Sequence, residues 1–293
     1  MDLGGGAAAG WVSLATLAAF FLVETPGAPN RCCAWLWRSR TFRVTSAVGF
    51  IIGFALFGAV TFLPLFQQVV RGQSPTASGL QLLPLMGGLM VSSVVSGRLI
   101  ARTGRYRRYP IAGTAIATGG LFLLSLMGSG TSDLLAGLYM VVLGLGLGMV
   151  MQVLILAVQN DAAYEDLGAA TAGATLFRSI GGSLGTAVLG AVFTNRLTAE
   201  LADRLPHTAG GLAGSGEVNP GAVGRLPQAV RVAYIDSFTH ALGVVFTVSA
   251  AVALLAFALT WLIGEVPLRT TLRDPAPSAP EPTAEVEEPQ AAR

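Results

Sequence analysis

The sequence predicts an all-α membrane protein of about seven transmembrane helices, a six-helix bundle with one further helix before it. Two observations predict this. The chain is 53% hydrophobic and only 12% charged. A soluble domain carries about 25% charged residues, so too little polar material is present to wet a globule of this size. Its apolar residues also fall in continuous runs close to the ~20 residues that span a bilayer, rather than in the short alternating segments of a barrel. The runs are 3–23, 44–66, 79–100, 110–128, 134–158, 168–195 and 236–264.

The first run lies in segment 1–24 and is the weakest, being rich in Gly and Ala. A signal peptide competes with a span there, but Asp2 and the lack of an early positive charge favour the span. Segment 25–43 is a linker carrying Arg31, Arg38, Arg40 and Arg43. The loop 101–109 carries Arg102, Arg105, Arg107 and Arg108, with Arg98 just before it. Short Arg-rich loops mark the cytoplasmic side. Both segments are therefore expected inside, with two spans between them. The loops 67–78 and 129–133 then lie outside, 159–167 inside, 196–235 outside and the tail inside. The acidic loop 159–167 gives this count no support of its own. The bundle itself covers 44–264. Its segment 196–235, rich in Gly and Pro, reads as an irregular external loop with room for short helices, and the Pro- and Glu-rich tail 265–293 as a disordered cytoplasmic one.

Other classes fall away on charge and cysteine usage. A net charge of +2 gives no footprint for nucleic acid. All 18 basic residues are Arg, and the Arg, Ala, Gly and Pro usage points to a GC-rich bacterial genome, hence the bacterial inner (plasma) membrane. Cys32 and Cys33 are adjacent and have no distant partner, which excludes a disulfide framework. His207 and His240 are isolated, so neither a metal site nor a cofactor is expected. Asp161, Glu165 and Asp166 cluster without a His or a nucleophile, so no enzyme is expected either.

Two stretches carry the most specific pattern. In LPLFQQVVRGQSPTASGLQLLPL (63–85), Pro64 ends or bends one span, with Gln67 and Gln68 near its outer end. Gly72, Ser74 and Pro75 make the turn, and Gly79 opens the next span. This run resembles the external turn that starts the C-terminal half of the fourteen-helix drug/proton antiporters of the major facilitator superfamily, the EmrB/QacA type. GRLIARTGRYRR (97–108) resembles the superfamily's cytoplasmic loop motif, with Gly97, Leu99, Arg102, Gly104, Arg105 and Arg107 in place. Ala101 stands where that motif has an acidic residue, which puts a gating role for this copy in doubt. GAATAGATLFRSIGGSLGTAVLGAVF (168–193) resembles the family's penultimate helix, and EVPLR (265–269) the exit from its last.

The resemblance covers about residues 40–270 and implies a C-terminal half only. It implies a proton-coupled multidrug efflux transporter working by alternating access between two bundles. The implied partners are the lipid bilayer, the missing N-terminal half, a small lipophilic or cationic substrate, and protons. The competing reading is a truncated, non-transporting remnant or a partner-dependent half-transporter. The segment CCAWLW within 25–40 departs from the family, as either a reading-frame error or a variable linker.

Polar and small residues inside the runs are the candidate sites. A charge in hydrocarbon is costly, and Arg178 is the charged residue placed well inside a predicted span. It either lines the substrate cavity or snorkels to the headgroups. Gln152 is a second cavity candidate, with interhelical hydrogen bonding as its alternative. Gly144 with Gly148, and Gly181 with Gly185, stand at the four-residue spacing that lets membrane helices approach closely. No Asp or Glu falls well inside a predicted span, so this sequence offers no obvious proton carrier.

Overall fold

The computed structural model describes residues 39–204 and 227–263. Every regular element in them is helical: α1 (Arg40–Arg71), the short α2 (Pro75–Leu80), α3 (Leu83–Thr103), α4 (Arg108–Ser125), α5 (Asp133–Asp161), a 3-10 turn (Tyr164–Asp166), α6 (Leu167–Arg204) and α7 (Gln228–Thr260). The all-helical expectation holds, and each run from 44 onward meets one long helix. The run 3–23, most of the linker and the tail lie outside the described residues. Among the described residues, five stretches are long and apolar enough to cross a membrane, against an expectation of about seven for the whole chain. They are Arg40–Arg71, Pro75–Thr103, Asp133–Asp161, Tyr164–Arg204 and Val230–Thr260. The helix α4 is not one of them, because its 18 residues begin with Arg108, Tyr109 and Pro110.

Local chemistry sets the helix ends. The hydroxyls of Ser39, Ser74 and Ser132 accept from the backbone N–H three residues on, at 3.2, 3.2 and 3.3 Å, each satisfying a donor the helix start leaves free. Gly72 and Gly104 end α1 and α3 at φ of 64° and 66°, a left-handed turn that other residues adopt only at a cost. Pro64 does not end its span, since α1 runs through it to Arg71. Residues 196–204 are helical rather than irregular, as are 228–235. Leu197 and Leu201 are buried four residues apart, and Glu200 pairs with Arg204 at the same spacing, a pattern that favours helix. At 38 residues α6 is about 57 Å long, well beyond a hydrocarbon core of about 30 Å, so its charged end projects into water.

The helices pack in two close pairs, α1 on α6 and α3 on α5; α4 lies on α5, and α7 spans α1, α4 and α6. Apolar surface gives little driving force between helices in lipid, so close approach must supply the attraction. Glycine makes that approach possible. A Cβ at Gly144 or Gly148 would run into the backbone of Leu85 or Leu89 on α3. One at Gly181 or Gly185 would run into the carbonyls of Phe50 or Phe54 on α1. Three rings, Phe62, Phe193 and Phe238, then join α1, α6 and α7 at centroid separations of 5.4 and 5.2 Å. The antiparallel α1 and α5 are also tied at both ends. Ser39 donates to the Asp161 carboxylate at one end. At the other, Arg71 pairs with Asp133 and donates to the Thr131 carbonyl.

Candidate functional site: a polar face on α5 and α6

The helix α6 is buried against α1 along Gly181, Gly185, Leu189 and Phe193. Away from that seam, Thr171, Thr175, Ser179 and Ser183 recur every four residues and form one row. Thr171, Ser179 and Ser183 donate back to carbonyls of their own helix at 2.8, 3.0 and 3.1 Å. Their proton is therefore spent, and their oxygens remain as acceptors. A neighbouring row, Leu176, Ile180, Leu184 and Val188, is exposed and apolar. Sequence reasoning passed over the hydroxyl row, although its spacing was visible in residues 171–183.

The end of α5 joins this face. Gln159 donates to the Thr171 hydroxyl at 3.3 Å. An open cleft of about 1030 Å³ follows, lined by Leu156, Gln159, Asn160, Thr171, Thr175 and Ser179. Gln152 is exposed and stands seven residues before Gln159, two helical turns along the same face of α5.

Arg178 lies at the border between seam and row. It is eleven residues past Leu167, about 16 Å along the axis. Its side chain is partly exposed and lines a narrow crevice of about 20 Å³ with Thr45 and Gly49 of α1, Met151 and Leu154 of α5, and Thr175. Thr175 lines both the crevice and the large cleft, so Arg178 stands next to the hydroxyl row at this residue. Among the described residues no carboxylate pairs with Arg178.

The remaining motif residues hold turns. At the outer turn, Gly72 and Gln73 both donate to the Gln67 carbonyl, and the Gln68 amide donates to the Ser78 hydroxyl at 2.9 Å. Gln67 is buried, Pro75 starts α2 behind the Ser74 cap, and Gly79 faces open space. Of the cytoplasmic loop motif, Gly97 lies within α3 and also faces open space. Gly104 makes the turn and Tyr106 is fully buried. Arg107 donates to the Trp261 carbonyl at the end of α7, at 3.0 Å, while Arg102 and Arg105 are exposed. A further cluster, outside the sequence reading, lies where α6 meets α7: Glu200 with His240 at 2.8 Å, and Arg204 with Glu200 at 3.6 Å and Asp236 at 3.9 Å.

Comparison with known proteins bears on this arrangement. An uncharacterised MFS-type transporter of Mycobacterium tuberculosis is 42% identical over 241 residues, covering 82% of this chain and 35% of that protein. The multidrug transporter protein MdtP of Bacillus subtilis is 35% identical over 194 residues, 66% of this chain and 36% of its own length. A tetracycline resistance determinant of Streptomyces rimosus is 33% identical over 274 residues, with 83% of this chain and 77% of that protein covered. The chain thus spans about a third of the length of the first two relatives. The fold is similar to the crystal structure of a bacterial homologue of the human lysosomal transporter Spinster, inward-facing and unoccupied, with a TM-score of 0.60 at 17% identity, over 82% of this chain and 52% of that one. The sequence pattern of the Major Facilitator Superfamily matches residues 4–186; the chain is a multi-pass membrane protein and belongs to the major facilitator superfamily.

Proposed function

We propose that the chain forms the C-terminal bundle of a drug:proton antiporter of the fourteen-helix type, set in a bacterial inner membrane with its C-terminus in the cytoplasm. The bundle exports small lipophilic or cationic compounds by alternating access against a second, N-terminal bundle. The observation that carries this reading is the polar face of α5 and α6. Gln159, Thr171, Thr175 and Ser179 border an open cleft, and Gln152 is exposed two turns before Gln159 on the same face of α5, on helices whose other exposed residues are largely apolar. The hydroxyls of Thr171, Ser179 and Ser183 are satisfied by their own helix, but exposed amides such as Gln152 and Gln159 on such helices are costly unless they meet water, substrate or another bundle. Names of relatives such as MdtP and the tetracycline resistance determinant support efflux of drug-like compounds.

Arg178 supplies the positive charge of this path, and the facing bundle supplies the acids. Asp133, Asp161, Glu165, Asp166, Glu200, Asp203 and Asp236 are the described carboxylates; all but Asp236 stand near a helix end or beyond one, and Asp236, eight residues into α7, is exposed and paired with Arg204. A proton and a cationic substrate would therefore compete for carboxylates across the cleft, where Arg178 shifts the balance electrostatically. Two glycine seams keep α1 with α6 and α3 with α5 as rigid pairs while the bundle rocks.

The test is ethidium efflux from bacterial cells expressing this bundle together with its N-terminal bundle. Wild-type cells are expected to export ethidium and to stop when a protonophore collapses the gradient. Arg178→Ala is expected to cut efflux at least about tenfold, the loss of roughly 1.4 kcal/mol of interaction, with unchanged membrane expression. Undiminished efflux by Arg178→Ala would return this residue to a headgroup-snorkelling role. Efflux that survives the protonophore would remove proton coupling.

A further inference from the structure

We propose that the turn between α3 and α4 is a binding site for the phosphate of an anionic phospholipid headgroup. The proposal rests on the membrane topology above, in which this turn lies at the cytoplasmic surface, but not on transport. The turn is built from the inside out. Gly104 reverses the chain at φ 66°, and its N–H closes α3 on the Ile100 carbonyl at 2.8 Å. Tyr106 is fully buried and anchors the turn to the core. With the odd residue pinned inward, Arg105 and Arg108 are turned outward. Together with Thr103 and Tyr109 they line a cleft of about 400 Å³.

Charge and depth both suit a headgroup. Arg98, Arg102, Arg105 and Arg108 fall within eleven residues and, among the described residues, pair with no carboxylate. Arg107 is the exception in the turn, because it reaches α7 through the Trp261 carbonyl at 3.0 Å. Two guanidiniums over one cleft match a phosphate, whose oxygens accept the paired N–H donors of an Arg fork. Trp261 is exposed at 57% beside this turn and meets Phe257 edge to face at 6.2 Å. Trp and Tyr gather at the headgroup level of a membrane, so Trp261 and Tyr109 place the cleft at that depth rather than in bulk water. A basic cleft between transmembrane helices at the cytoplasmic surface is the arrangement that holds anionic headgroups. The site would tether the α3–α4 corner to the leaflet while the rest of the bundle moves.

Native mass spectrometry of the purified full chain in detergent, titrated with phosphatidylglycerol or phosphatidylcholine, tests this. Wild type is expected to retain phosphatidylglycerol in preference to phosphatidylcholine. The double variant Arg105→Gln/Arg108→Gln is expected to lose roughly thirtyfold in phosphatidylglycerol affinity. The double variant Arg196→Gln/Arg231→Gln removes the same charge at the opposite end of the bundle and is expected to bind as wild type does. Equal retention by wild type and the Arg105/Arg108 variant would overturn the proposal, as would equal binding of the two lipids. Displacement by millimolar inorganic phosphate would assign the cleft to free phosphate instead. Adducts that form only after removal of residues 264–293 would assign it to the chain's own acidic tail.

Discussion

The two sides of α6 solve opposite problems with the same backbone. Against α1, the helix gives up side chains: Gly181 and Gly185 let the carbonyls of Phe50 and Phe54 come within reach, and Leu189 and Phe193 fill the space beyond. Turned away from α1, it keeps small polar side chains at Thr171, Thr175, Ser179 and Ser183, whose hydroxyl oxygens face a cleft or open surface. The first side is specified by shape and tolerates no added volume. The second is specified by polarity and tolerates changes of volume far better. On the proposed function, stability and transport are thus separable on one helix.

Adding volume to the seam is expected to have the largest effect. Gly181→Leu pushes a side chain into the α1 backbone and is expected to cost about 3 kcal/mol or more, seen as loss of folded protein in detergent. Gly190→Leu, on the same helix but facing open space, is expected to melt within a few degrees of wild type. If both variants behave alike, the seam is not what holds α6 to α1. Removing polarity from the other side comes next. Thr175→Val with Ser179→Ala keeps the helix and nearly keeps the volume, so melting is expected to change little. Ethidium efflux is expected to fall about tenfold, the effect of losing one or two hydrogen bonds at about 1 kcal/mol each. A fall in melting temperature without a fall in efflux would place these hydroxyls in packing. The outer turn gives the smallest effect. Gln68→Ala removes the 2.9 Å bond to Ser78 and is expected to cost about 1 kcal/mol of stability, with efflux unchanged.

How much of this the sequence shows depends on the side of the helix in question. The seam was legible, because Gly at four-residue spacing in an apolar run has few other uses, and Gly144, Gly148, Gly181 and Gly185 all stand at close approaches. The turns at Gly72 and Gly104 were legible for a similar reason, a left-handed backbone requiring glycine. Of the two readings of Pro64, an end to the span is excluded: α1 runs through it because packing on α6 and α7 outweighs one lost backbone bond. The charged ends of α6 and α7 were hidden, since Glu200, Arg204, Asp236 and His240 become one cluster only when the two helices lie side by side. The anchoring role of Tyr106 was hidden too, because an aromatic residue between arginines reads as surface until its burial is seen.

On the proposed function, the hydroxyl row of α6 faces water and substrate, while the part of the apolar row beyond the cleft, Ile180, Leu184 and Val188, does not. The direct measurement is thiol labelling in a Cys32→Ser/Cys33→Ser background, with Ser179→Cys and Leu184→Cys compared in intact cells and in inside-out vesicles. A membrane-impermeant maleimide is expected to label Ser179→Cys, ethidium to slow this labelling, and Leu184→Cys to stay unlabelled because a thiol in lipid or against a second bundle does not ionise. Equal labelling at the two positions, or labelling of Leu184→Cys alone, would contradict this reading of the two rows.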